Sequence, residues 1–331
     1  LGEAPGDVSP HLRRGRRIRL IRSTSPAPQV RRRKWTSRLR AALVPGALRS
    51  LAFVFGLLPR RTVLAIGGVL GWLAGRLSGR DRRRALEHLA IAFPEMPDEK
   101  RREIARACFR HAGKNLSELL HLFRRDRRAI LACLEVEGWE NVQAARATGH
   151  PLLFLTAHCG NWELIATVVH NGGISPAAVA RPLDDPALQK IVVDLRSHFG
   201  TTTIARGTRG AARQLLETLR RGGALAMLID QDTKVDGVWV PFFGRPAFTP
   251  VGAAEIALRQ HAQVIPSFIF RREDGSHLVQ FHPALDLPDD PRDATAVMTE
   301  GVEEQIRRHP EQWVWWHKRW RRQQGPPEAP T

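Results

Sequence analysis

In His158-Cys159-Gly160-Asn161-Trp162-Glu163 a glutamate follows a histidine five positions on, directly after the apolar run Pro151 to Ala157. An imidazole and a carboxylate are the groups that general-base chemistry requires. The carboxylate accepts one ring N–H, sets the tautomer and stabilises the imidazolium, while the other nitrogen takes a proton from a hydroxyl. On a regular helix five positions turn through about 500°, so His158 and Glu163 would not share a face. A bend can bring them together, and Gly160 and Asn161 supply one because both tolerate backbone angles that other residues resist. The expectation is a His158–Glu163 dyad without an enzyme nucleophile. Two other readings stand beside it. Cys159 offers a thiol next to a histidine, although neighbours at a strand end usually point to opposite sides. A single histidine among 13 also packs readily with no chemical task.

Other polar residues follow short apolar runs. Arg181 closes Ala177 to Ala180, where a guanidinium can grip a phosphate in two-pronged fashion or simply pair with Asp184 or Asp185. Arg196, Arg206, Arg209 and Arg213 form a looser basic group. Asp230 and Asp232 follow Ala224 to Ile229 and are placed to orient Lys234 or an acceptor hydroxyl. Asp-x-Asp also suggests a divalent cation, but such sites usually take more than two carboxylates and no further ligand cluster accompanies this pair. Phe242 and Phe243, in a Pro-Phe-Phe-Gly loop, either wall a pocket or pack in the core. Thr249-Pro250 reads as a helix N-cap followed by its first residue.

The elements that must carry these groups alternate after Val136. Strand-like segments are Pro151 to Thr156, Ala177 to Arg181, Thr201 to Ile204, Ala224 to Ile229 and Gln263 to Phe270. Helix-like segments are Asn161 to Asn171, Pro186 to Phe199, Thr208 to Arg221 and Pro250 to Gln260, with Leu278 to His282 as an edge strand and Asp293 to Arg308 as a closing helix. Such alternation implies an α/β fold with a substantially parallel sheet. His158 would then sit at the carboxyl edge, where ligands bind in open α/β sheets. Pro97 to Arg125 shows a helical apolar stripe suited to packing on a core.

Upstream, Leu39 to Leu58 and Thr62 to Leu77 are membrane-like, but Arg40, Pro45 and Arg49 interrupt the first and the second is short and glycine-rich. Both fall below the roughly 20 apolar residues of a span. They fit one poor transmembrane helix, a hairpin in one leaflet, or two buried helices. Residues 1–34, rich in Pro, Ser and Arg, read as a disordered basic tail without a signal-peptide cleavage pattern. Residues 35–80 read as helices at a membrane, 81–322 as the enzyme domain and 323–331 as a frayed tail.

With 51 Lys+Arg against 33 Asp+Glu, the 331-residue chain carries a formal +18 charge. That excess calls for an anionic partner, nucleic acid or an anionic lipid surface. Arginine clusters beside apolar stretches, and Trp313, Trp315, Trp316 and Trp320 among Lys318, Arg319, Arg321 and Arg322, suit the membrane interface. No nucleic-acid-binding motif accompanies them, and nucleic acid is not expected. Cys108, Cys133 and Cys159 lack metal or disulfide spacing.

The hexad His158 to Glu163 resembles the H-x-G-N-W-E signature of the bacterial lipid A late acyltransferases, a branch of the lysophospholipid acyltransferase superfamily. Further blocks are similar to that family's in order: Arg84 to Pro94, Asn141 to Gly149, Asp230-Gln231-Asp232, Val240 to Pro246 with Thr249, and Pro310 to Trp313 with Trp316 to Trp320. The resemblance runs from about Trp35 to Arg322. It departs at Cys159, where relatives usually carry an aromatic or other residue, and at Gln231, where they tolerate histidine.

The resemblance implies a glycerol-3-phosphate-acyltransferase-like mixed, largely parallel sheet flanked by helices, with an N-terminal membrane-associated helical segment. It implies transfer of a fatty acyl group from acyl carrier protein or acyl-CoA to a hydroxyl of a membrane glycolipid, most simply a lipid A precursor. His158 would be the base and Glu163 its orienting partner. Gly160, Asn161, Trp162, Arg181, Asp230, Gln231, Phe243, Gly244 and Thr249 would contact substrate, with no metal or cofactor required. The implied location is the cytoplasmic face of the bacterial inner membrane. A mannosylated phosphatidylinositol or a lysophospholipid is an alternative acceptor. A hydrolase using the same dyad, and a non-catalytic basic membrane-binding protein, are the readings outside this class.

Overall fold

The computed structural model describes residues 35–322, with side chains from Val44 onward; the expected tails, 1–34 and 323–331, lie outside the described residues. The chain begins with helices α1 (Trp35–Leu57), α2 (Arg60–Leu77), α3 (Gly79–Ala92), α4 (Asp98–Leu122) and α5 (Arg127–Leu131). Alternation follows: β1 (Leu134–Glu137), α6 (Trp139–Ala147), β2 (Leu152–Thr156), α7 (Ile165–Asn171), β3 (Pro176–Ala180), α8 (Pro186–His198), β4 (Thr202–Ala205), α9 (Ala211–Arg220) and β5 (Ala224–Leu228). The hairpin β6 (Gly237–Phe242) and β7 (Arg245–Pro250) precedes α10 (Gly252–Gln260), β8 (Gln263–Arg271), β9 (His277–Phe281) and α11 (Pro291–Arg308).

Seven strands form one sheet in the order β1-β9-β8-β2-β5-β3-β4. The five from β8 to β4 are parallel, while β9 pairs antiparallel to β8 and β1 runs parallel to β9. Period-two alternation sends Leu153, Leu155, Val264 and Phe268 into one apolar cluster and Leu152, Phe154, Ile265 and Ile269 into the other. The sheet is thus buried on both faces, as a parallel sheet covered by helices requires.

Most expected elements are present within a residue or two. Asp185 and Asp290 each cap a helix whose first residue is proline, taking up N–H groups that lack an intrahelical partner. Two expectations fail. Leu278 to His282 is not an edge, because the short strand β1 pairs outside it. Thr249-Pro250 does not start a helix: both residues belong to β7, and α10 begins at Gly252. The buried Thr249 hydroxyl accepts a hydrogen bond from Arg319 Nη2 at 2.7 Å, so it serves the hairpin's anchorage.

The two membrane-like segments are helices with one packed side. Gly67, Gly71 and Gly75 of α2 face α4, so closely that a Cβ on Gly71 would stand 2.1 Å from the Phe109 carbonyl oxygen. The opposite side exposes Val69, Leu70, Leu73 and Leu77, the last 85% exposed. On α1, Ala52 and Phe55 are buried with Leu120, whereas Phe53, Val54 and Leu57 face outward. These helices are therefore not buried all round. Among the described residues no single helix is long and apolar enough to cross a membrane; Arg60–Leu77 with Gly79–Ala92 passes only as a pair bent by 92°.

Candidate active site

β2 and β5 are adjacent and in register, with Thr156 opposite Leu228. His158 and Asp230 each follow two residues beyond those partners, so the sheet delivers them side by side at its carboxyl edge. His158 Nδ1 lies 2.8 Å from Asp230 Oδ1, and the His158 backbone N–H donates to Asp230 Oδ2 at 2.9 Å. The Trp313 indole N–H donates to Oδ2 at 2.8 Å. Burial alone would push the Asp230 carboxyl up; the facing imidazole and these hydrogen bonds instead hold it at about 2. The ionised carboxylate can only accept, so Nδ1 carries the proton and Nε2 of the neutral ring is a free base. The His158 side chain keeps 24% of its surface exposed, whereas Asp230 is sealed.

The expected hydrogen bond between His158 and Glu163 is not the one made. Asp230 occupies Nδ1, and Glu163 is gripped by Arg196 of α8, with Nε 3.1 Å from both carboxylate oxygens and Nη2 2.9 Å from Oε1. The cause is the path after β2. The chain enters a 3₁₀ turn at Trp162–Leu164 before α7, which directs Glu163 towards α8 and puts the Trp162 ring against His158, centroids 4.8 Å apart in an edge-on arrangement. Gly160 makes the bend at φ +52°, and its missing side chain is obligatory: a Cβ would stand 1.9 Å from the Ile269 carbonyl oxygen. Its N–H donates to Gln312 O at 3.0 Å, tying the turn to the C-terminal segment.

The other candidates divide. Asn161 is buried and donates to Glu118 Oε2 at 2.8 Å. Cys159 is fully buried, bridged to Trp313, and burial with the nearby Asp230 charge pushes its thiol well above the ordinary range. That removes it as a nucleophile. Asp232 pairs with Arg321 and Arg322 at 3.1 and 3.2 Å, and Gln231 between the two aspartates is half-buried. Arg181 is exposed, 3.4 Å from Asp184. Phe243 and Gly244, both at positive φ, are the two-residue turn of the β6–β7 hairpin, since Phe242 pairs with Arg245. Phe242 and Phe243 are buried, with Trp315 and Trp320 beside them, which favours core packing over a pocket wall. Phe242 also meets Trp313, the residue that holds Asp230.

Sequence reasoning missed the partnership of Asp230 with His158, the role of Trp313, and the Arg196 grip on Glu163. The available signal was that the runs before His158 and Asp230 both end on polar residues at the same sheet edge. A second imidazole, His317, lies within electrostatic reach of both; burial lowers it to about 4 despite the pull of Asp230, so it is neutral at neutral pH. Beside the site, a narrow apolar recess between β2, β5, β3 and α7 is lined by Phe154, Trp162, Val169, Ala226 and the Glu163–Arg196 pair.

A largely parallel α/β sheet thus carries an imidazole–carboxylate pair at its carboxyl edge, the groups that general-base chemistry requires. Residues 34–322 match the family described as bacterial lipid A biosynthesis acyltransferase, and the chain belongs to that family. It is therefore an acyl-transferring enzyme. It is 27% identical to a Haemophilus influenzae lipid A biosynthesis acyltransferase over 80% of this chain and 82% of the relative. It is 29% identical to the Escherichia coli lipid A biosynthesis lauroyltransferase over 82% of this chain and 89% of the relative. A Mycobacterium tuberculosis phosphatidylinositol mannoside acyltransferase is 26% identical over 63% of this chain and 67% of the relative.

Proposed function

We propose that this enzyme moves a fatty acyl group from an acyl thioester, on acyl carrier protein or coenzyme A, to a hydroxyl of a glycolipid, with a lipid A precursor as the leading acceptor. The observation that carries the reading is the ionised, buried Asp230 on Nδ1 of a partly exposed His158. Nε2 takes the proton of the acceptor hydroxyl as its oxygen attacks the thioester carbonyl. Asp230 stabilises the imidazolium so formed. The tetrahedral intermediate expels the thiolate, which recovers the proton from Nε2, leaving an ester and a free thiol. Positioned general-base catalysis of this kind contributes about 10²- to 10⁴-fold. Glu163 acts through its pair with Arg196, holding the turn and the recess beside His158 for substrate. The recess suits part of an acyl chain, and Arg181 at the same edge suits an anionic headgroup.

The lipid A relatives favour a lipid A precursor; the mannoside relative keeps a mannosylated phosphatidylinositol as second acceptor class. The outward apolar residues of α1 and α2, with exposed Arg49, Arg61, Arg76 and Arg80 nearby, suit insertion into one leaflet of an anionic membrane. On this reading residues 35–80 attach to the cytoplasmic face of the bacterial inner membrane and residues 81–322 carry out transfer.

The test is an acyl-transfer assay on detergent-purified protein. Labelled acyl carrier protein and acyl-CoA are offered against lipid A precursors, phosphatidylinositol mannosides and lysophospholipids, beside His158→Ala. Acylated glycolipid that disappears in the variant supports the reading and names the acceptor. Free fatty acid as sole product would replace it with hydrolysis, and transfer undiminished in His158→Ala would overturn it.

A further inference from the structure

Next to the site lies a second buried charge cluster that the mechanism does not use. Glu118 of α4, fully buried, accepts from Arg271 Nη1 at 3.0 Å and Nη2 at 2.6 Å, from Arg60 Nε at 2.8 Å, and from His277 Nε2 at 2.8 Å. Asn161 Nδ2 completes the set. Burial would push the Glu118 carboxyl up, but the facing His277 imidazole and the hydrogen bonds and charge of Arg271 hold it well below the usual range. Burial lowers the His277 imidazole although Glu118 pulls it up; its Nε2–H is spent on Glu118 and its Nδ1 has no partner among the described residues. The cluster joins the start of α2, the end of α4, the end of β8 and the start of β9.

A buried charge cluster is a costly way to gain stability, since apolar residues of similar volume often do as well. Directional bonds, however, can set the place of a segment that packing leaves free. That segment here is the Gly160–Asn161 turn between His158 and Glu163, and the cluster holds it twice. Asn115 Nδ2 donates to Gly160 O at 2.6 Å while Asn115 Oδ1 accepts from Arg271 Nη2 at 2.8 Å. Asn161 Nδ2 reaches Glu118 itself.

We propose that Asn115 and Glu118 of α4, backed by Arg271, are positioning residues for acyl transfer: they clamp the turn that carries His158 onto Asp230 and Glu163 onto Arg196. The proposal rests on the reading of His158 as the base. Because a misplacement of about 1 Å at a reacting group costs on the order of 100-fold in rate, loosening this turn lowers kcat while leaving the binding surfaces intact.

Asn115→Asp separates position from stability. The carboxylate still accepts from Arg271, so the fold keeps its anchor, but an acceptor now faces Gly160 O where a donor stood. The expected result is an unfolding midpoint only slightly below wild type, KM for donor and acceptor within about twofold, and kcat down by about tenfold or more. The readout that does not depend on turnover is the downfield proton resonance of His158 Nδ1–H, identified by its loss in His158→Ala; it should shift or broaden in Asn115→Asp. An unchanged kcat and an unchanged resonance would overturn the proposal, as would a rate loss that follows the unfolding midpoint or resides in KM. If Asn115→Asp does not fold, Asn115→Ser, too short to reach Gly160, is read by the same criteria. Absence of transfer in the wild type would strike the acyltransferase reading alone, and the resonance would still decide whether the clamp positions His158.

Discussion

Two buried carboxylates each hold an imidazole at 2.8 Å, Asp230 on His158 and Glu118 on His277. Their surroundings differ. Asp230 takes all its hydrogen bonds from neutral or imidazole groups, and its histidine opens a nitrogen to the surface. Glu118 is matched by two guanidiniums, and its histidine is sealed with Nδ1 unpartnered. A carboxylate–imidazole pair can thus serve as a base only where the second nitrogen can meet a hydroxyl, and is confined to a structural clasp where it cannot.

The largest expected contrast is the loss of either imidazole. His158→Ala should cut kcat/KM for transfer by about 10³-fold with little change in unfolding midpoint. His277→Gln should chiefly lower the midpoint, by about 1–3 kcal/mol of stability for a disturbed buried hydrogen bond. Its rate should fall far less, and its pH–rate profile should keep the wild-type shape. Equal rate losses in the two would erase the distinction.

Next come the carboxylates that compete for His158. Asp230→Asn should lower kcat by about 100-fold, because the imidazolium formed in the reaction loses its counter-charge. Glu163→Gln weakens the Arg196 pair instead, with a loss of about tenfold. A larger loss in Glu163→Gln than in Asp230→Asn would return the orienting role to Glu163. Trp313→Phe, which removes one donor to Asp230, should cost about 1–2 kcal/mol, read as a rate loss smaller than that of Asp230→Asn.

The smallest effects concern pH and stability. The Asp230 carboxyl is lowered on folding from 3.8 to about 2, and Glu118 shifts in the same direction. Their contribution is therefore complete above the ordinary carboxylate range and is lost as pH falls through the lowered values. His88 and His317 are lowered from 6.5 to about 4. Between those values the unfolded chain binds protons that the folded one refuses, so stability already falls as pH drops across that window. Thermal unfolding from pH 7 to pH 3 should show a gradual decline first and a steeper one below about pH 4. Asp230→Asn should flatten the lower part.

Much of the fold was legible because its signals are local. The alternation of apolar runs with amphipathic segments stated where most strands and helices lie, and Pro186 marked the start of α8; the Asp290–Pro291 start of α11, two residues before the expected Asp293, was not read. The placement of His158 at a strand end was equally legible. Thr249-Pro250 misled because a capping pattern also fits a strand end, and here the Arg319 contact takes the hydroxyl. Glu163 misled for a related reason: it is the nearest carboxylate in sequence, while Asp230 is nearest in space. The clamp from α4 had no linear signal at all, since its members Arg60, Asn115, Glu118, Asn161, Arg271 and His277 are scattered over most of the described chain.

By itself the sequence determined the kinds of group at the sheet edge, the glycine bend after the histidine and the periodicities that build the layers, because these depend on neighbours a few residues apart. Only the tertiary structure decided which carboxylate serves which imidazole. That choice follows from β2 and β5 being adjacent and in register and from α4 lying against the turn. Such pairing is set by how whole elements bury their apolar faces, a property that no spacing along the chain records.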